Sequence, residues 1–235
     1  MRLDRFLVQS DICTRSEAKK LIKQGRVCVN GSAASDPAAR VDEAADTVSV
    51  DGKAAVYEKF RYYMLNKPAG YVSATEDASD AIVLDLLAGA QGHDLFPVGR
   101  LDKDTEGLLI ITNDGQLAHR LTSPRHHVDK RYLAVTDGKL SGRDMETFAS
   151  GMDIGDDRPT LPALIEERPD GYIVTIREGR FHQIKRMFYA LGVNVTYLKR
   201  LSMGPIELDD TLAPGDFRPL SAEEIALLKA ADGQK

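Results

Sequence analysis

At 235 residues and 43% hydrophobic content, the chain can build one large domain or two smaller ones with packed cores, and it holds no apolar run near the length of a membrane span. Its two cysteines, Cys13 and Cys28, form no Cys-x-x-Cys pair, which argues against a zinc site or a disulfide framework and makes them small core residues of a reducing compartment. The net charge of −5 speaks against a uniformly basic nucleic-acid binder, yet residues 1–30 carry +4 and the rest −9, so a basic module is joined to an acidic body. The opening Met1-Arg2-Leu3-Asp4-Arg5 lacks the apolar run of a signal peptide, and a cytoplasmic protein is expected.

In chain order, Leu3, Phe6 and Leu7 follow helical spacing. Thr14-Arg15-Ser16-Glu17 is a capping box that opens a helix over Arg15 to Lys23, and Gly25 follows as its C-terminal stop. On that helix Ala18, Leu21 and Ile22 share one face, and Arg15, Lys19 and Lys23 share the adjacent one. Arg26-Val27-Cys28-Val29 reads as a strand, Asn30-Gly31 as a tight hairpin turn, and Thr47–Val50 with Asp51-Gly52 as a second strand and turn. Residues 51–59 are the expected linker, which sets a first domain at 1–50 and a second at 60–235.

From residue 60 short strands alternate with a few helices. Strands are predicted at 62–65, 108–112, 132–136, 161–166, 172–177, 193–197 and 206–208, and Phe96-Pro97-Val98 adds a further candidate. Helices are predicted at 84–87, 116–121, 144–149, 183–191 and 223–229, two of them behind capping boxes at Asn113-x-x-Gln116 and Ser221-x-x-Glu224. There is no strict β-α-β alternation, so the fold class is α+β with a largely antiparallel sheet. No Gly-x-Gly-x-x-Gly and no phosphate loop occurs, and no nucleotide cofactor is expected.

Four polar segments interrupt this pattern. Asn66-Lys67-Pro68-Ala69-Gly70-Tyr71 is a turn after a strand. Gly99-Arg100-Leu101-Asp102-Lys103-Asp104-Thr105-Glu106-Gly107 places three carboxylates, two cations and a hydroxyl between two apolar strands, the setting in which loops line clefts. Asp102, beside Leu101, suits a nucleophile or a base, whereas Asp104 and Glu106 read as local caps or solvated charges. In Ser123–Tyr132, His126 and His127 have no His or Cys partner at ligand spacing, so no metal is expected. Glu178–Phe188 opens a helix that carries Arg180, Lys185 and Arg186 on an apolar backbone of Ile184, Met187 and Phe188.

Residues 1–50, through Arg2–Leu7, Thr14–Ala18 and Ile22–Gly31, resemble the small alpha-L RNA-binding domain. That resemblance assigns Arg5, Arg15, Lys19, Lys20, Lys23 and Arg26 to RNA phosphates, contacts that set affinity and register and read little sequence. The four segments of the body together resemble the pseudouridine synthases, specifically the RsuA-type branch. The matching residues are Asn66-Lys67-Pro68-x-Gly70, Gly99-Arg100-Leu101-Asp102-x-x-Thr105-x-Gly107, Lys130-Arg131-Tyr132, Gly179-Arg180-x-His182-Gln183-Ile184-Lys185-Arg186 and Arg200-x-x-x-Gly204.

By that resemblance Asp102 is the essential aspartate, either attacking the sugar or abstracting a ribose proton. Lys185 is the cation paired with it, and Tyr132 the aromatic that stacks on the target base. Arg100, Lys67, Arg180 and Gln183 are expected to contact substrate. The implied reaction detaches uracil, rotates it and reattaches it through carbon, without cofactor or metal, on a base taken out of its stack. The Ser123–Lys130 segment looks like the branch acting on small-subunit (16S) ribosomal RNA. The implied partner is that RNA or a pre-ribosomal particle, bound by a monomer. Large-subunit specificity and a non-catalytic assembly factor are the competing expectations.

Overall fold

The computed structural model describes residues 1–231; the last four residues of the expected second domain lie outside the described residues. The chain divides into two compact units, Met1–Arg61 with Gly89–Asp94, and Tyr62–Ala88 with Leu95 onward.

The first unit starts with helices α1 (Leu3–Gln9) and α2 (Arg15–Lys23), followed by strands β1 (Val27–Val29), β2 (Ser32–Ala33), β3 (Val48–Val50) and β4 (Lys53–Ala55) in the antiparallel order β2-β1-β3-β4. The Thr14 hydroxyl accepts from Glu17 N–H and the Glu17 carboxylate accepts from Thr14 N–H, the reciprocal cap expected for α2. Both hairpins turn on left-handed pairs, Asn30-Gly31 (φ 51° and 78°) and Asp51-Gly52 (φ 50° and 78°), whose twist matches that of the strands. Leu3, Phe6, Leu7, Ala18, Ile22, Val27, Val41 and Val48 form the core. The segment 51–59 corrects the expected linker. Lys53–Ala55 pairs with β3, Ala55 is buried in this core, and the Tyr57 ring lies 5.6 Å from Phe6. Its small and polar residues read as loop, but the Asp51-Gly52 turn folds them back as an edge strand.

The second unit is a nine-stranded sheet with helices. Its elements are β5 (Tyr62–Lys67), β6 (Phe96–Pro97), β7 (Glu106–Thr112), α3 (Gly115–Thr122), β8 (Lys130–Thr136), α4 (Gly142–Ser150), β9 (Leu164–Arg168), β10 (Gly171–Ile176), α5 (Gln183–Ala190), β11 (Val195–Met203), β12 (Ile206–Glu207), β13 (Phe217–Pro219) and α6 (Ala222–Ala230). The order is β13-β5-β7-β11-β8-β10-β9, with β6 on β7 and β12 on β11. Every pairing is antiparallel except β7 with β11, as the mixed α+β reading requires. Central strands β5 and β7 are buried on both faces, which is why they read as continuous apolar runs without alternation. Phe148 of α4 and Tyr172 of β10 sit 5.2 and 5.6 Å from Phe188 of α5, fixing the helices to the sheet.

Several predicted boundaries move. The 84–87 helix is a single 3₁₀ turn at Val83–Leu86. The cap of α3 is Asp114, which accepts from Leu117 N–H at 3.1 Å and from the Tyr62 hydroxyl at 2.8 Å, one residue beyond the predicted Asn113. Strand β11 runs to Met203 because Leu198, Arg200 and Ser202 alternate into the interior, although Lys199-Arg200 reads as a polar break.

The short parallel junction of β7 and β11 pairs Lys199 with Glu106 and Arg200 with Gly107. Arg200 Nε donates to Leu108 O at 2.7 Å across it, and the Tyr197 hydroxyl donates to Glu106 at 2.8 Å. Gly107 has φ +97°, and a Cβ there would lie 2.2 Å from Arg200 O and 2.9 Å from Arg200 N. Gly107→Ala should therefore lower unfolding free energy by at least about 3 kcal/mol in urea titration. Gly115→Ala, at an uncrowded first turn of α3, should be neutral or stabilising by up to about 1 kcal/mol.

Candidate active site

Asp102 is carried by the loop that leads into β7, and its backbone is held from both sides. Ser73 Oγ bonds the backbone of Leu101, accepting from its N–H at 3.1 Å and donating to its carbonyl at 3.0 Å. Gly70 N–H donates to Lys103 O at 2.7 Å. From beneath, the Lys67 ammonium donates to the carbonyls of Pro68 (3.0 Å), Asp102 (3.1 Å), Lys103 (3.3 Å) and Thr105 (2.8 Å). Lys67 is fully buried, and burial pushes its pKa down to about 8, against the charges of Asp104, Glu106 and Asp102. This corrects its expected role as a substrate contact: its donors are committed to the loop, and it does not line the cavity.

The Asp102 carboxylate opens into a cavity of about 630 Å³. Lys185 Nζ, on the first turn of α5, stands 3.2 Å from Asp102 Oδ2 and 2.5 Å from Asp104 Oδ1. Burial works against the Lys185 charge, but the hydrogen bonds and charges of the two carboxylates outweigh it and hold its pKa above the ordinary value. Partial burial likewise raises the Asp104 carboxyl, and the Lys185 contact overcomes it, leaving that pKa lowered. Asp104 is thus the second partner of Lys185, a largely exposed carboxylate as the solvated alternative expects and not a local cap. Glu106 accepts from Tyr197 and pushes that phenol, already raised by burial, up to about 12. His182 Nε2 lies 3.7 Å from Asp102 Oδ1.

Tyr132 of β8 is buried in the cavity wall, opposite Arg200 of β11 and Val174 of β10. Leu101, Ile176, Leu198 and Met203 give the same wall its apolar character. Arg100 is exposed at the rim. The structure therefore sets Lys185 beside Asp102 and brings Asp102, Tyr132 and Arg100 to one cavity. Arg180 and Gln183 also line it, but their polar atoms turn into the protein. Arg180 bonds Glu178, Asp156 and the carbonyls of Arg158 and Pro159, while Gln183 bonds Glu178 and accepts from Arg180 N–H at 3.0 Å. They correct to positioning residues that fix the start of α5 and hence Lys185.

Residues missed as site members in the sequence are Ser73, Phe181, His182, Lys130 and Arg200. Lys130 is buried, donates to Val128 O at 2.9 Å, and has its pKa pushed down to about 8 by burial and then by the charge of Arg200. Its two-residue spacing from Tyr132 puts both on one face of β8, a signal available in the sequence. His126 lies in a 3₁₀ turn and His127 is left-handed, so neither occupies a strand. Among the described residues no cluster of three or more His, Cys, Asp or Glu could hold a metal ion.

In the first unit, Arg5, Arg15, Lys19, Lys20 and Lys23 are all exposed, and none forms an ion pair among the described residues. Arg26 is also exposed but is engaged by both carboxylate oxygens of Asp51, so its expected phosphate contact must compete with that pair.

Residues 61–190 match the family model described as RNA pseudouridylate synthase, and residues 1–53 match the S4 domain. The chain is 44% identical to an uncharacterized RNA pseudouridine synthase of Bacillus subtilis, over 97% of this chain and 98% of that one. It is 42% identical to the ribosomal small subunit pseudouridine synthase A of Escherichia coli K12, over 96% and 99%. A crystal structure of a pseudouridylate synthase matches it with a TM-score of 0.67 at 37% identity, covering 97% of this chain and 99% of the other.

Replacing Lys67 by Met should leave the loop carbonyls without their buried donor. The expected loss is about 2–4 kcal/mol of stability, together with turnover that depends on Asp102 placement. The folded pKa of about 8 lies below the ordinary 10.5, so the unfolded chain binds the extra proton between them and this group adds stability as pH rises through that window. The stability gap between wild type and Lys67→Met should widen from pH 8 to 10, read by urea midpoints.

Proposed function

Because the chain belongs to the RNA pseudouridylate synthase family, in its RsuA-type branch with an N-terminal S4 domain, we propose that it converts a specific uridine of small-subunit (16S) ribosomal RNA to pseudouridine. The observation that carries the reading is the Asp102 carboxylate held 3.2 Å from Lys185 at the mouth of a cavity walled by Tyr132. The Ser123–Lys130 segment and the relatives named for the small subunit support the choice of RNA.

The reaction is an internal rearrangement. The bond from uracil N1 to the ribose breaks, uracil turns, a bond forms from its C5, and the C5 proton leaves while N1 regains one. Asp102 acts at the sugar, as nucleophile or as the base that takes a ribose proton. Lys185, 3.2 Å away, holds a positive charge against this carboxylate and fixes its position. Tyr132 offers its ring to the base, whose extraction costs a few kcal/mol of stacking. Arg100 at the rim suits the backbone of the flipped nucleotide. The free cations of α2 lie along flanking phosphates and help offset that cost.

Asp102→Asn should reduce pseudouridine formation at least about a thousandfold and leave RNA affinity within about threefold. Full turnover in that variant would remove Asp102 from the chemistry. Neutralising Lys19, Lys20 and Lys23 together should weaken binding and flatten the plot of log K against log salt by about two units. An unchanged slope would take this face off the RNA. Mapping pseudouridine in both ribosomal RNAs of a deletion strain decides the substrate: loss of a small-subunit site is expected, and loss of a large-subunit site alone would overturn the choice.

A further inference from the structure

The rim of the cavity carries a feature that the reaction as described does not use. Phe181 is 76% exposed, although it lines the same cavity as Asp102. Single exposed apolar residues are ordinary on a protein surface. This one differs in how it is held. Its ring stacks on His182 with centroids 3.9 Å apart and planes within 15°. His182 in turn has the left-handed conformation (φ 48°), uncommon for a residue other than glycine, and stands 3.7 Å from the Asp102 carboxylate. The Phe181 carbonyl accepts from Arg186 Nη1 at 3.1 Å, and Arg186 is itself anchored on Ile154 O and Asp156. A fixed backbone therefore presents one aromatic face to solvent, at a mouth that also carries Arg100 and Lys103, the latter paired with Asp80 at 2.6 Å.

An aromatic face beside an exposed arginine is the chemistry that receives an unpaired nucleobase next to its phosphate. Drawing one uridine into the cavity leaves the base next to it without a stacking partner. Resting on the proposed uridine-flipping reaction, we propose that Phe181, backed by His182, stacks on the nucleobase adjacent to the flipped uridine and holds the strand open. Phe181 is then a positioning and specificity residue, and it takes no part in the bond changes.

The test uses the full chain and a ribosomal RNA fragment carrying the mapped uridine, with matched copies that have an abasic residue at either neighbouring position. Phe181→Ala should raise KM and Kd about tenfold with kcat within threefold, the range of one base–aromatic stack, and Phe181→Trp should restore both. One abasic neighbour should cost the unaltered protein the same factor and cost Phe181→Ala nothing more. Unchanged Kd in Phe181→Ala would overturn the proposal, as would losses that multiply at both neighbours. Absence of turnover in the unaltered protein would strike the proposed reaction instead, and the binding measurements would still decide on Phe181.

Discussion

The geometry of the site depends on one buried ammonium. Lys67 is enclosed at the end of β5 and hydrogen-bonds four carbonyls, three of them in the loop that carries Asp102. Burying a lone charge is costly, and here the cost is offset by charge-assisted bonds to backbone oxygens that would otherwise lack donors. The loop gains a fixed shape without any regular secondary structure. Ser73 and Gly70 hold its other side, so the peptide beneath the aspartate is fixed from both faces.

The second constraint is the placement of Lys185 between two carboxylates. The contact with Asp104 is largely exposed, and its worth for stability is small. Its value is geometric, because Asp104 gives Lys185 a second anchor beside Asp102. The same logic applies at the start of α5, where Glu178 gathers Arg180 and Gln183 and so sets where Lys185 emerges. Cations that read as substrate contacts turn out to build the wall. At the rim Arg100 stays exposed, while Lys103 pairs with Asp80.

Much of this was legible in the chain. The capping boxes at Thr14 and Ser221 marked two helices because caps are local chemistry. The ordered motifs located Asp102 and Tyr132, which line one cavity, and Lys185, which stands 3.2 Å from Asp102. What escaped was non-local. A lysine after a strand reads the same whether it faces solvent or four carbonyls, so Lys67 was misassigned. Lys199-Arg200 reads as a break because nothing nearby shows that Leu108 O, across the sheet, accepts from the guanidinium. The 51–59 segment looked like a linker because its strand is short and its pairing follows from a turn. Phe181 carried no assignment in the sequence, since exposure is a property of the folded chain.

The single parallel pairing in the sheet has a consequence for how activity is lost. Asp102 enters β7 on one side of that seam, together with β5 and β13, while Tyr132 and Lys185 belong to the strands and helix on the other side. Neither half contains all three of Asp102, Lys185 and Tyr132. The seam is short, and Gly107 and Arg200 meet there with no room to spare. A small parting of the two half-sheets separates Asp102 from Lys185 and Tyr132 while each half keeps its own hydrogen bonds. Inactivation by heat or denaturant should then run ahead of the loss of secondary structure, so that turnover measures the closure of the sheet.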